Sequence, residues 1–391
     1  MLRGINLQVR IYMKKLFYVL IGFVPLGVSA QVTDAIPMMS LDNIAYQGFF
    51  YAGGEYVREG DQATMGGAMY VEVMVPNEIR SPYPVVFFHG AGQTGVDWLQ
   101  TPDGRPGWAY DFLEAGYVVY MEDYPGRGKS QYVPDHDGPL RIRNAPNLEE
   151  IFTASAAVSL EKDIFPQAPL HTQWPGTGRM GDKIFDDFNK TQVQFMGGQA
   201  GPTVSANIAL LDMINTPVIL LTHSQGGAFG WPVAQARPDL VKAIITVEPA
   251  APPIRGVDTA NVAVLDRGGL QYGISNYPIA YDPPIEDPSE LEVILAEEAE
   301  GANLVPCYRQ VEPARQLANL THIPVLFLNG DGGYHRIFDH CLANWLNQAG
   351  VVTEYVRLEE VGLAGNGHMM MLEENSKEIA DFMLNWLSDL N

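Results

Sequence analysis

The chain has 391 residues, 47% of them hydrophobic, and a formal net charge of −22. That length and apolar content suit one large domain or two average ones and exclude a disordered chain. The acidic balance repels nucleic acid and anionic lipid, so neither is expected as a partner, and it leaves neutral substrates open.

The first thirty residues read as a secretory signal peptide: Arg3, Arg10, Lys14 and Lys15 lead into an apolar run from Leu16 to Gly27, and Val28-Ser29-Ala30 offers a small-x-small cleavage pattern. Its apolar core is short for a membrane span, so no stable membrane insertion is expected after cleavage, and the product is expected in the periplasm or outside the cell. The leader holds no acid, so its loss leaves a charge of −26 on residues 31–391. Only Cys307 and Cys341 supply thiols. Cys341 lies on the stripe Ile337, Phe338, Cys341, Leu342, Trp345, Leu346, which reads as a buried small hydrophobe on a helix; a 307–341 bridge stays open in a compartment that permits disulfides.

Met69 to Val75 reads as a strand near a sheet edge, and Pro84 to Phe88 as a buried one. The second runs into the glycine-dense loop His89-Gly90-Ala91-Gly92-Gln93-Thr94-Gly95, whose backbone can approach a ligand closely. Trp108 to Glu114 fits a helix and Tyr117 to Met121 a further buried strand, a rhythm that implies parallel neighbours with right-handed crossovers. Periodicity is lost from Gln131 to about Gly201, a proline-rich, glycine-rich and aromatic stretch expected to form a partly helical insertion over one face. A helix from Ala206 to Met213 leads to the strand Val218 to Leu221, and Ala243 to Val247 supplies the next strand, ending at Glu248-Pro249. A second long connection, 250–322, contains the acidic run Glu286 to Glu300, with Leu291, Ile294 and Leu295 spaced as one face of a surface helix. Pro324 to Leu328 and Val351 to Leu358 complete the strands, and a closing helix carries Ile379, Phe382, Met383, Trp386, Leu387 and Leu390 at i, i+3, i+4, i+7 spacing. The expectation is one α/β domain over 31–391 with insertions at about 131–201 and 250–322.

The run Thr222-His223-Ser224-Gln225-Gly226-Gly227 directly follows a buried strand, which is where a serine on a sharp strand-to-helix turn presents its hydroxyl above a sheet. It meets G-x-S-x-G at Gly226 and misses it at Thr222. Acyl transfer by serine also needs a base, an acid to orient that base and backbone donors for an oxyanion. Of the eight histidines, His368 alone falls between the final strand and the final helix, where a base would sit. The amides of Ala91 and Gln225 are the expected oxyanion donors. For the acid, Asp331 follows the strand Pro324 to Leu328 and Glu248 ends the strand beside that of the serine; either could reach one histidine.

Four motifs occur in order: Thr101-Pro102-Asp103-Gly104-Arg105-Pro106-Gly107-Trp108, His223-Ser224-Gln225, Val247-Glu248-Pro249 and Gly365-Asn366-Gly367-His368-Met369-Met370-Met371. With Asp123-x-x-Gly126-x-Gly128-x-Ser130 and the strand order, they make the chain resemble the α/β-hydrolases: an α/β fold with a mostly parallel central sheet flanked by helices. More narrowly the motifs resemble those of secreted bacterial serine esterases whose acid is a glutamate after the sixth strand, and that resemblance implies Glu248 in place of Asp331.

The expected function is therefore hydrolysis of a small-molecule carboxylic ester through an acyl-enzyme on Ser224, with His368 as base. A peptidase, an amidase or a carbon-carbon hydrolase could use the same residues, as could a silent binding protein on the same fold. Asp331, His335, Asp339 and His340 could be drawn as a metal cluster, but His335 and His340 differ by five and point to different sides of a helix. No metal and no cofactor is expected.

Overall fold

The computed structural model describes residues 37–196 and 201–390; the leader lies outside them. An eight-stranded sheet organises these residues: β1 (Ile44–Glu59), β2 (Gln62–Pro76), β3 (Val85–Phe88), β4 (Val119–Asp123), β5 (Val218–His223), β6 (Val241–Val247), β7 (Val325–Asn329) and β8 (Thr353–Arg357). Their spatial order is β1-β2-β4-β3-β5-β6-β7-β8. The first two strands form an antiparallel ribbon, β2 meets β4 antiparallel, and every pair from β4 to β8 is parallel. The order reverses between β3 and β4, and β5 lies near the centre of the sheet, between β3 and β6. In an open parallel sheet this carboxyl edge is where ligands bind.

Alternation along the strands explains why both faces are covered. Val86, Phe88, Leu220, Ile244 and Phe327 join one buried cluster with α2 (Gly201–Ile214), α3 (Gln225–Ala236) and α4 (Asp339–Gln348). Val85, Phe87, Ile219, Leu221, Ile245, Leu326 and Leu328 point the other way, against α1 (Trp108–Glu114) and α5 (Ser376–Ser388). A sheet buried on both faces needs continuous apolar strands, which is the pattern of these four.

One expectation is corrected and one open question is answered. The run 286–300 is not a helix: Pro288–Glu290 make one short turn and Val293–Leu295 pair antiparallel with Tyr308–Gln310. Leu291, Ile294 and Leu295 satisfy helical spacing, but Pro283, Pro284 and Pro288 deny the preceding turn its donors, and Val293-Ile294 suit a strand once a partner is at hand. Cys341 is buried on α4 as its stripe requires, and the bridge that the sequence left open is present, joining it to Cys307. The bridge ties the second long connection to α4 beneath a small cluster that includes Ala154, Ile164 and Phe165 of the first insertion.

The bridge closes a loop with a sequence separation of 34. On the chain-entropy account, a double replacement of both cysteines by serine lowers unfolding free energy by about 3 to 4 kcal/mol. Denaturant unfolding at equal slope measures this; an unchanged midpoint contradicts it.

Candidate active site

The strand β5 is buried throughout and ends in a turn that leaves Ser224 at φ 51°, ψ −123°, a backbone region that side chains rarely occupy. Gln225 then opens α3. The tightness of this turn explains the glycines: a Cβ on Gly226 would lie 2.6 Å from the Phe88 carbonyl oxygen, and one on Gly227 would lie 2.3 Å from the Pro249 Cβ. It also explains how Thr222 stands where the motif asks for glycine. The Thr222 hydroxyl donates to Thr246 Oγ1 at 2.9 Å, and its methyl faces Gly230 of α3, where an added Cβ would come within 2.9 Å. The missing glycine is displaced one turn into the helix.

His368 follows β8 in a loop fixed by buried acids. Asp331 Oδ1 accepts the amides of Gly365 at 2.7 Å and Asn366 at 3.2 Å. Glu373, fully buried, accepts the Gly367 amide, the Asn366 side chain and His171 Nε2 of the first insertion. The loop is tied to the serine turn by His223, whose Nε2 donates to the His368 carbonyl at 2.9 Å. Burial lowers the His223 pKa to about 3, keeping that ring neutral.

Glu248 ends β6 at φ 42° and is wholly buried. Its Oε1 accepts the Gly330 amide at 2.9 Å and the Asn329 side chain at 3.4 Å, and its Oε2 lies 2.7 Å from His368 Nδ1. Of the two acids the sequence left open, Glu248 meets the histidine and Asp331 does not. Burial pushes the Glu248 carboxyl up, opposed by the charge of His335 and by the Gly330 amide. His368 is 1% exposed and its pKa lies well below the ordinary imidazole value, first through burial and then through His223, His335 and Arg143. A neutral ring that gives its Nδ1 proton to Glu248 keeps a lone pair on Nε2, and Nε2 has no hydrogen-bond partner among the described residues.

The loop after β3 completes the surroundings. Among the described residues no hydrogen bond engages the Ala91 amide, and Gln225, first in its helix, has no intrahelical acceptor for its own. Arg127, 4% exposed, joins the two segments: its guanidinium donates to the Gly90 carbonyl at 2.8 Å and to Gln225 Oε1 at 2.5 Å.

Several residues of the site carry no sequence signal as a group. Phe152 of the first insertion stacks on His368, with ring centroids 5.2 Å apart and an interplanar angle of 17°. His335 stacks on the same ring at 4.5 Å and 16°, and its Nδ1 pairs with Asp339 at 2.8 Å. The proposed alternative of a metal cluster is divided by these contacts: Asp331 serves loop amides, His335 pairs with Asp339, and His340 Nε2 meets the Val305 carbonyl. Ligand atoms of Glu248, His335 and His368 come within 4.8 Å of one another, but Glu248 and His368 already bond each other there; Cys307, His340 and Cys341 also cluster, with both sulfurs consumed by the disulfide.

Residues 85–382 match the model of the Alpha/beta hydrolase family. A "Probable secreted lipase phiG" of Fungal sp. (strain ATCC 74256) is 40% identical over 343 residues, covering 87% of this chain and 88% of that protein. Among solved structures, one titled "The Atomic Resolution Structure of a Novel Bacterial Esterase" aligns with a TM-score of 0.56 at 22% identity, over 88% of this chain and 96% of the other. The last shows likeness of fold alone.

Proposed function

The chain belongs to the Alpha/beta hydrolase family, and from that premise we propose that it is an exported serine esterase with Ser224 as nucleophile, His368 as base and Glu248 as acid. It is a hydrolase of the lipase and esterase kind; the triad, the ester chemistry and the export are the reading offered here. The observation that carries the triad is the 2.7 Å contact of Glu248 with His368 Nδ1, beside an unpaired, buried Nε2. The export rests on the leader and on the printed name of the fungal relative. No helix of the described residues is long and apolar enough to cross a membrane.

In this mechanism His368 Nε2 accepts the Ser224 proton as Oγ attacks the ester carbonyl carbon. Glu248 holds the ring in the tautomer that frees Nε2 and stabilises the imidazolium that forms. The amides of Ala91 and Gln225 receive the negative oxygen of the tetrahedral intermediate, and Arg127 keeps their two segments in register. The proton passes from His368 to the departing alkoxide, and an acyl-enzyme remains. Water, deprotonated by the same imidazole, attacks the acyl carbon and releases the acid. The first insertion acts as a cap, with Phe152 closing one face of the imidazole.

The reading is tested by labelling with a fluorophosphonate followed by peptide mapping, and by turnover of an ester panel beside amide analogues. A phosphonyl adduct on Ser224 with faster ester than amide turnover is expected; an adduct elsewhere, or none, contradicts it. A dependence on pH follows from the burial of His368. Its folded-state pKa is lowered, so the base form persists into acid, and the acid limb of kcat/KM should have its midpoint below about pH 6.5. A midpoint above that value would show that the Glu248 carboxylate outweighs burial at this ring.

A further inference from the structure

Arg143 stands at the site without an acid of its own. It follows the two-residue strand Leu140–Arg141, which pairs with Phe195–Met196 within the first insertion. Its guanidinium carbon lies 5.1 Å from the Phe152 ring centroid and 5.9 Å from that of Phe195. Phe152 in turn stacks on His368, so the cation sits one aromatic ring away from the imidazole. The charge reaches the site: it is among the causes that lower the pKa values of His368 and His223. The only hydrogen bond of its side chain among the described residues goes to a neutral acceptor, Asn147 Oδ1 at 3.3 Å, while Nε is sealed from solvent without a partner.

Arg127 adds a second such charge. Its guanidinium carbon lies 5.5 Å from the centroid of the same Phe195 ring, and its two terminal nitrogens serve neutral oxygens of Gly90 and Gln225. Among the described residues neither arginine forms an ion pair with a carboxylate. Partly buried cations normally recruit a counter-charge, because desolvation is otherwise uncompensated. This chain holds 46 acidic residues against 24 basic ones, so acids are abundant and none has been spent here. Arg127 also has its Nε buried without a partner, but both of its terminal nitrogens are engaged, so it supplies field alone. Arg143 has one terminal nitrogen on Asn147 and, among the described residues, no hydrogen bond at the other, which leaves a donor for a ligand, and a guanidinium fork is shaped for a carboxylate.

We infer that Arg143 is a substrate-binding residue for a carboxylate, and that the ester hydrolysed carries an acidic group on its acyl or alcohol side close to the scissile bond. The inference rests on the serine-esterase reading and narrows it to a substrate class. The carboxylate docks between the Phe152 and Phe195 rings on the Arg143 fork, and the ester carbonyl is thereby delivered to Ser224 with the imidazole alongside. The bond broken is the ester bond alone; the carboxylate is a handle and takes no part in the transfer.

Two matched pairs of probes test it with the full chain. One compares the mononitrophenyl ester of glutaric acid with the nitrophenyl ester of the isosteric branched alkanoic acid. The other compares an acetate ester of a meta-carboxyphenol with that of the meta-isopropylphenol. The acidic member of at least one pair should be favoured in kcat/KM by about tenfold or more, chiefly through KM, and Arg143→Gln should lower that preference by a factor on the order of 10 to 100. Arg143→Lys keeps a charge without the fork and should retain part of the preference, which also serves if the glutamine variant does not fold. Turnover of the neutral esters with no preference in either pair, or a preference that Arg143→Gln leaves intact, overturns this inference alone. Absence of turnover of every ester together with absence of labelling at Ser224 instead removes the esterase reading beneath it, and this inference with it.

Discussion

Ser224→Ala is expected to lower kcat by about four to six orders of magnitude, with KM for the same ester changed far less. The hydroxyl is the only group removed, and in the proposed mechanism its oxygen bonds to the acyl carbon. The alanine methyl fits the space, because Cβ is retained and the turn keeps its backbone, so stability should remain near that of the native chain. What survives is the contribution of the Ala91 and Gln225 amides and of binding, which can still favour attack by water. Initial rates on a nitrophenyl ester, with thermal unfolding as a control for folding, measure the loss. Residual turnover within tenfold of the native chain would falsify Ser224 as nucleophile.

Glu248→Gln is expected to cost about three to four orders of magnitude in kcat, whereas Asp331→Asn should cost no more than about tenfold. An amide at position 248 carries no charge to stabilise the imidazolium, and its NH2 can donate to Nδ1, which favours the wrong tautomer. The buried carboxylate now receives the Gly330 amide and the ring nitrogen on separate oxygens. Asp331 holds the histidine loop through the amides of Gly365 and Asn366 by one oxygen, and asparagine keeps an oxygen able to accept both. Paired kinetics on the two variants decide the matter: loss with Asp331→Asn and activity with Glu248→Gln would transfer the role to the aspartate.

The ambiguity between these acids was real in the sequence and has a structural source. β6 and β7 are parallel neighbours in register, Val247 opposite Leu328, so the acids that follow them leave the sheet side by side. Only the paths of the two loops separate a carboxylate that reaches Nδ1 from one that serves amides. The inner strands were legible because burial on both faces demands unbroken apolar runs. β1 was not: of its sixteen residues only Ala52 is buried, and Tyr46, Phe49, Tyr51 and Tyr56 face solvent, so no period marks it and its pairing with β2 makes the strand. Ser224, Gln225, Ala91 and His368 could be nominated because each follows a core strand, at its end or in the loop after it, and chain order limits which strand that is. Phe152, Arg143 and His335 lie in segments without period, and their convergence depends on how the insertion folds back. Arg127 occupied a variable place in a glycine-rich motif, and its partner at Gln225 is 98 residues away.

On the proposed mechanism, the backbone of residue 224 sets catalysis and folding against each other. A left-handed φ with a β-carbon attached costs on the order of 1 to 3 kcal/mol, a burden that glycine would shed at a smaller entropic cost. Selection for heat resistance alone would therefore favour glycine over this serine. Its presence is a debt that the closely packed sheet beneath is stable enough to carry.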